Sequence, residues 1–84
     1  MNNKVIVELV VPQLETNYNI YLPVSKKIGD IINLLIKAVN DFSEVKLEYN
    51  QKIALYNSLD GTRYNSDDIL YNTNIRNGSR LVLI

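Results

Sequence analysis

The pattern at the C-terminal end of this chain constrains its fold more than any other feature. From Asn74 to Ile84 it reads Asn-Ile-Arg-Asn-Gly-Ser-Arg-Leu-Val-Leu-Ile. Asn77-Gly78 is a pair that accepts the positive φ of a tight turn. Ser79 and Arg80 then give way to an unbroken apolar run, Leu81 to Ile84, the mark of a strand flanked by other strands. Side chains alternate across a strand, so Leu81 and Leu83 share one face and Val82 and Ile84 the other. Such a strand needs backbone partners beside it and a cover over one face.

The rest of the sequence supplies both. Lys4 to Val11 reads as a first strand, with Val5, Val7, Leu9 and Val11 inward and Lys4 and Glu8 outward. Pro12 removes a ladder donor and ends it. A polar connection, Gln13 to Asn17, leads to a second strand, Tyr18 to Leu22, whose inward set is Tyr18, Ile20 and Leu22. After Pro23, Ser25 is the expected N-cap of a helix from Lys26 to Asp41. Ile28, Ile31, Ile32, Leu35, Val39 and Phe42 recur at helical spacing as its core stripe, widened by Leu34, Ile36 and Ala38. Lys26 and Lys27 at the positive end of the helix dipole and Asp41 at the negative end are each mildly unfavourable. Burial of the stripe must therefore hold this helix.

Ser43 to Asn50 reads as irregular. Lys52 to Tyr56 is expected as a third strand, with Ile53 and Leu55 inward. Asp60-Gly61 gives the turn into a short fourth strand, Thr62 to Tyr64. Ser66 is expected to cap one helical turn, Asp67 to Tyr71, before the final strand. The order is ββαββ, a short helix, then β, over a single domain spanning residues 1 to 84. A central parallel pair formed by the two most apolar strands, covered by the helix, makes this an α+β chain of the β-grasp type. A ferredoxin-like split would need a second full helix, which Ser66 to Tyr71 is too short to form.

Composition removes much chemistry. With no histidine and no cysteine, His- or Cys-based nucleophilic catalysis and the usual zinc sites are excluded. Asp67 and Asp68 are adjacent, so on a helical turn they diverge by about 100° and read as capping residues. The three glycines are isolated, and no phosphate-cradling loop is present. Gly29 reads as a tolerated helical glycine. The expectation is a protein that is not an enzyme and needs no cofactor or metal. Nine basic residues balance nine acidic ones, and the six tyrosines are scattered, so no nucleic-acid surface is expected. No apolar run reaches the roughly 20 residues of a bilayer span, and no signal peptide opens the chain. A cytoplasmic location follows as the expectation, without direct membrane insertion.

The outward residues of the strands are the candidate site. Ile6 and Val10 on the first strand, Tyr21 on the second, Ala54 and Tyr56 on the third, and Val82 and Ile84 on the last share one side of the expected sheet. Scattered apolar surface residues are normal. Several on neighbouring strands of one face point instead to a protein-binding patch, which also allows weak homo-oligomerisation.

The terminal segment is similar to the end of a ubiquitin-like domain, where an Asn-Ile pair precedes a turn and a Leu-x-Leu core strand. The chain resembles the small bacterial YukD/EsaB family in length, in its immediate first strand, in the Leu22-Pro23-Val24 exit and in Ile75, Gly78, Leu81 and Leu83. That resemblance implies an accessory or regulatory component of a type VII (WXG-type) secretion system. It also implies protein partners among the membrane and ATPase components and action by docking. The alternatives are a β-grasp adaptor unrelated to secretion, and a truncated sulfur-carrier or conjugation-type protein. The last requires a terminal Gly-Gly that this sequence does not show. The patch is a reading of the residues, since the resemblance assigns no contact positions.

Overall fold

A computed structural model describes residues 3–48 and 52–84. Strand β1 spans Lys4–Val11 and, after a 3-10 turn at Pro12–Leu14, β2 spans Thr16–Pro23. Helix α1 follows at Ile28–Phe42, then β3 at Leu55–Asn57, a second 3-10 turn at Leu70–Asn72, and β4 at Arg80–Leu83. The sheet order is β2-β1-β4-β3. β1 and β4 run parallel, and both outer pairs are antiparallel. This is the expected β-grasp arrangement, a helix on a mixed sheet.

The inward sets of the strands meet the helix stripe in one core. Val7, Leu9, Val11, Leu22, Leu55, Leu81 and Leu83 lie against Ile28, Ile31, Ile32, Leu35, Ile36 and Val39. Each such side chain gains roughly 1.5–3 kcal/mol on full burial, which holds a helix with weak caps. Val5, Tyr18 and Ile20 are only partly buried and pack at its margin.

Asn77 gives the terminal motif a role beyond its turn. Its side-chain Oδ1 accepts the Ile6 N–H at 2.9 Å, while the Gly78 N–H donates to the Ile6 carbonyl at 2.8 Å. The side chain thus stands in for a backbone carbonyl and lengthens the parallel ladder towards the start of β1. At the other end Ala54 and Ile84 exchange both backbone bonds, at 2.8 and 3.1 Å. Ile84 is held in the sheet, as the sequence suggests.

The helix begins two residues later than expected, and Ser25 does not cap it. The N-cap is Lys27, without a side-chain bond. The orphan donors of the first turn are met by backbone from far along the chain. Ile28 N–H donates to the Asp68 carbonyl at 2.8 Å and Gly29 N–H to the Ser66 carbonyl at 3.0 Å. Returning bonds from Leu70 N–H to Lys26 and from Tyr71 N–H to Val24 fasten the same segment. Gly29 is therefore more than tolerated. A Cβ there would sit 3.3 Å from the Ser66 carbonyl oxygen, so its absence lets this segment approach.

The same segment explains three further departures. The expected fourth strand contracts to one bridge, Tyr56 with Arg63. After Tyr64 turns its ring into the core, the chain leaves the sheet to deliver Ser66 and Asp68 to the helix. The expected helical turn shrinks to Leu70–Asn72, with Ile69 at its N-cap position. Asp67 and Asp68 precede it, and Asn65 Oδ1 rather than Ser66 accepts the Asp67 N–H, at 2.9 Å.

Three more corrections concern the core. Phe42 is 69% exposed, because it closes the last turn and lies on Tyr18 at the rim, with ring centroids 5.7 Å apart. Leu34, on the flank of the stripe, is also exposed. Leu47, in the stretch read as irregular, is buried. Asn40 pins it by accepting the Leu47 N–H at 2.6 Å and donating to its carbonyl at 3.0 Å. Asn50, the end of that stretch, lies outside the described residues. Lys46 donates its ammonium to the Asn40 and Ser43 carbonyls, placing a cation where the helix dipole favours it.

Candidate protein-binding face

Backbone bonds fix which way each residue of the sheet points. Glu8 N–H donates to the Ser79 carbonyl, and Ile6 engages Asn77 and Gly78. Ile6, Glu8 and Val10 therefore direct their amides to β4 and their side chains to the face opposite α1. Partner registers then lay out that face. Ile6 pairs with Tyr21, and Glu8 lies between Asn19 and Arg80. Val10 pairs with Val82, which in turn pairs with Tyr56.

Six of the seven expected patch residues contribute side-chain surface here. Ile6, Tyr21 and Ile84 are exposed, while Val10, Tyr56 and Val82 are half-buried. Ala54 is a correction: it is only 3% exposed and contributes backbone pairing to Ile84 but almost no accessible surface. A methyl side chain does not rise clear of its surroundings as Tyr56 and Ile84 do.

The patch is also not continuous. Arg80 Nε lies 3.3 Å from Glu8 Oε1, and Asn17 Nδ2 donates to Glu8 Oε2 at 3.2 Å. This polar band crosses the face between the Ile6–Tyr21 pair and the row Val10–Val82–Tyr56. Neither Glu8 nor Arg80 was among the expected site residues. Part of the signal was available, since alternation puts Arg80 on the side of Val82 and Glu8 on the side of Val10, but only the register of β1 on β4 sets the two opposite each other. The apolar row flanked by an ion pair is suited to a partner that offers apolar side chains beside polar groups. Protein interfaces commonly surround such an apolar centre with a polar rim.

Beyond the face, polar groups are locally engaged. Tyr64 OH donates to Asn74 Oδ1 at 2.7 Å and accepts from Asn57 Nδ2 at 3.0 Å. Burial pushes its phenol above the usual range. The Thr62 N–H, 2.9 Å from Asp60 Oδ1, holds that carboxyl below its usual range. A cleft of 270 Å³ lies between Val5, Val24, Leu70, Tyr71, Ile75 and Arg76. Among the described residues no group of three His, Cys, Asp or Glu side chains is placed to hold a metal ion. No described helix is long and apolar enough to cross a membrane.

No family model matches this sequence, and no curated protein does either. Solved structures do. The ubiquitin-like domain of EccD5 from Mycobacterium xenopi superposes with a TM-score of 0.76 at 20% identity, over 99% of this chain and 94% of that one. The fold is ubiquitin-like. A chain of the MycP5-free ESX-5 inner membrane complex gives a TM-score of 0.80 at 20% identity over 99% of this chain. Here the match spans only 21% of the ESX-5 chain. The ubiquitin-like domain of an Arabidopsis thaliana protein gives 0.72 at 14% identity, covering 99% of this chain and 78% of that one. At such identities the likeness is one of fold.

Proposed function

We propose that this ubiquitin-like chain is a docking module that works without catalysis or conjugation. In this reading it is an accessory or regulatory component of a type VII secretion system, acting in the cytoplasm. The observation that carries the reading is the near end-to-end match to the EccD5 ubiquitin-like domain, over 94% of its length. A second support is the similarity to a chain of a secretion inner membrane complex. The contact surface is the row Val10–Val82–Tyr56, with Ile84 beside it and the Glu8–Arg80 pair as its polar border. The resemblance to the YukD/EsaB family belongs to the same proposal.

The test is affinity purification of the tagged chain from a host that carries the secretion machinery, beside a Val82→Asp variant. Recovery of membrane and ATPase components with the wild type, and their loss with the variant, supports the reading. Recovery of neither from a host expressing both rejects the secretion role. The second reading is then an adaptor outside secretion, favoured by the match to the Arabidopsis domain over 99% of this chain and 78% of that one.

A further inference from the structure

The two edges of the sheet are unequal. β3 is three residues long, and its outer side is covered by the returning chain: Tyr64 N–H donates to Leu55 and Asn57 N–H to Thr62. β2 is eight residues long, Thr-Asn-Tyr-Asn-Ile-Tyr-Leu-Pro, without a charged side chain. Proteins usually blunt such an edge with charge, shortness or a covering loop. Of these devices β2 carries only Pro23, at its end.

The register shows what this edge offers. Ile6, Glu8 and Val10 turn their amides towards β4, so their partners Tyr21, Asn19 and Asn17 turn theirs away from β1. Among the described residues no backbone group meets these outward N–H and C=O groups. Pro23, opposite Lys4, has the same outward orientation, where a missing N–H costs nothing. Glu15, at φ 53°, takes the chain out of the extended conformation at the other end.

We propose that β2 pairs antiparallel with β2 of a second copy of this chain, with Asn19 on the twofold axis. That register alone matches the three outward residues to one another, Asn19 with its own copy and Asn17 with Tyr21. Glu15 and Pro23 then face each other and close the pairing at both ends. A neutral strand best fits an uncharged edge, and this chain carries a net charge of zero, so two copies meet without net repulsion. Tyr18 falls opposite Ile20 of the second copy, on the helix side where Phe42 is exposed and packs on Tyr18. Tyr21, 64% exposed, is covered on the other side. This surface is separate from the Val10–Val82–Tyr56 row and does not depend on the function proposed above.

The experiment is sedimentation of the wild type, Asn19→Lys and Asn19→Glu from about 10 μM to about 1 mM, the range of weak, small interfaces. The wild type should move towards twice the monomer mass. Each variant should dissociate at least about tenfold more readily, because like charges meet on the axis. An equimolar mixture of the two variants should regain the dimer. A monomeric wild type throughout, variants that dimerise as before, or a mixture that stays monomeric would each overturn the proposal. Circular dichroism checks that the variants fold. If either charge variant does not, Asn19→Pro tests the same edge, where loss of the dimer supports the pairing and its retention refutes it.

Discussion

Glu8 and Arg80 face each other across the parallel β1–β4 pair, with 3.3 Å between Arg80 Nε and Glu8 Oε1. Their side chains remain 40% and 55% exposed, respectively, so the attraction is screened by water. The coupling energy from a double-mutant cycle of Glu8→Ala and Arg80→Ala should be below about 1 kcal/mol and fall with salt. Chemical denaturation at low and high ionic strength measures both. A coupling of several kcal/mol would mean that the pair is structural rather than a border to the apolar row.

Ala54 and Val82 should respond in opposite ways, although alternation alone places both on one face. Ala54→Leu forces volume into a filled position and should cost about 1–3 kcal/mol. Val82→Asp adds a charge at a half-buried site on the open face. It should keep the native circular dichroism spectrum while weakening partner binding by at least about tenfold, the scale of an interface hot spot. Thermal melts beside a binding titration separate the two effects.

Tyr64 should make stability fall at high pH. Burial raises its pKa above the ordinary phenol value of about 10, so the folded state holds the proton more tightly than the unfolded chain. This contribution is complete below pH 10.0 and is lost as pH rises through the folded value. Tyr64→Phe should remove that loss while costing about 1 kcal/mol near neutrality, through the bonds to Asn57 and Asn74. Urea melts from pH 7 to 11 check the slope.

Glu15 is the one described non-glycine residue with positive φ, at 53°. A left-handed conformation costs an ordinary residue about 1–2 kcal/mol, partly offset in a glycine variant by the freer unfolded chain. Glu15→Gly should therefore stabilise the protein by about 0.5–1 kcal/mol. A domain of this size should then melt a few degrees higher. An unchanged or lower melting temperature would show that the Glu15 side chain contributes to the turn.

Most of the architecture was legible because periodicity reports burial directly. The β1 inward set and the stripe from Ile28 to Val39 are local patterns that need no knowledge of partners. What escaped depends on long-range contacts. Leu47 is one apolar residue in a polar stretch, and only the reach of Asn40 makes it core. The cap of α1 comes from carbonyls at Ser66 and Asp68, which no local motif announces. Ser25 and Ser66 looked like caps by type and position, yet distant backbone and Asn65 took those roles. In the candidate face, alternation found the apolar residues. The polar band escaped because it arises only when β1 and β4 are set in register.

The parallel placement of β1 beside β4 has a mechanical consequence. Tension applied at Asn3 and Ile84 would pull these neighbours past each other along their length. The rungs from Ile6 to Val10 would then bear load together, with Asn77 adding one more. An antiparallel hairpin pulled at its ends opens one rung at a time. This small sheet should instead resist stretching until it yields in a single step.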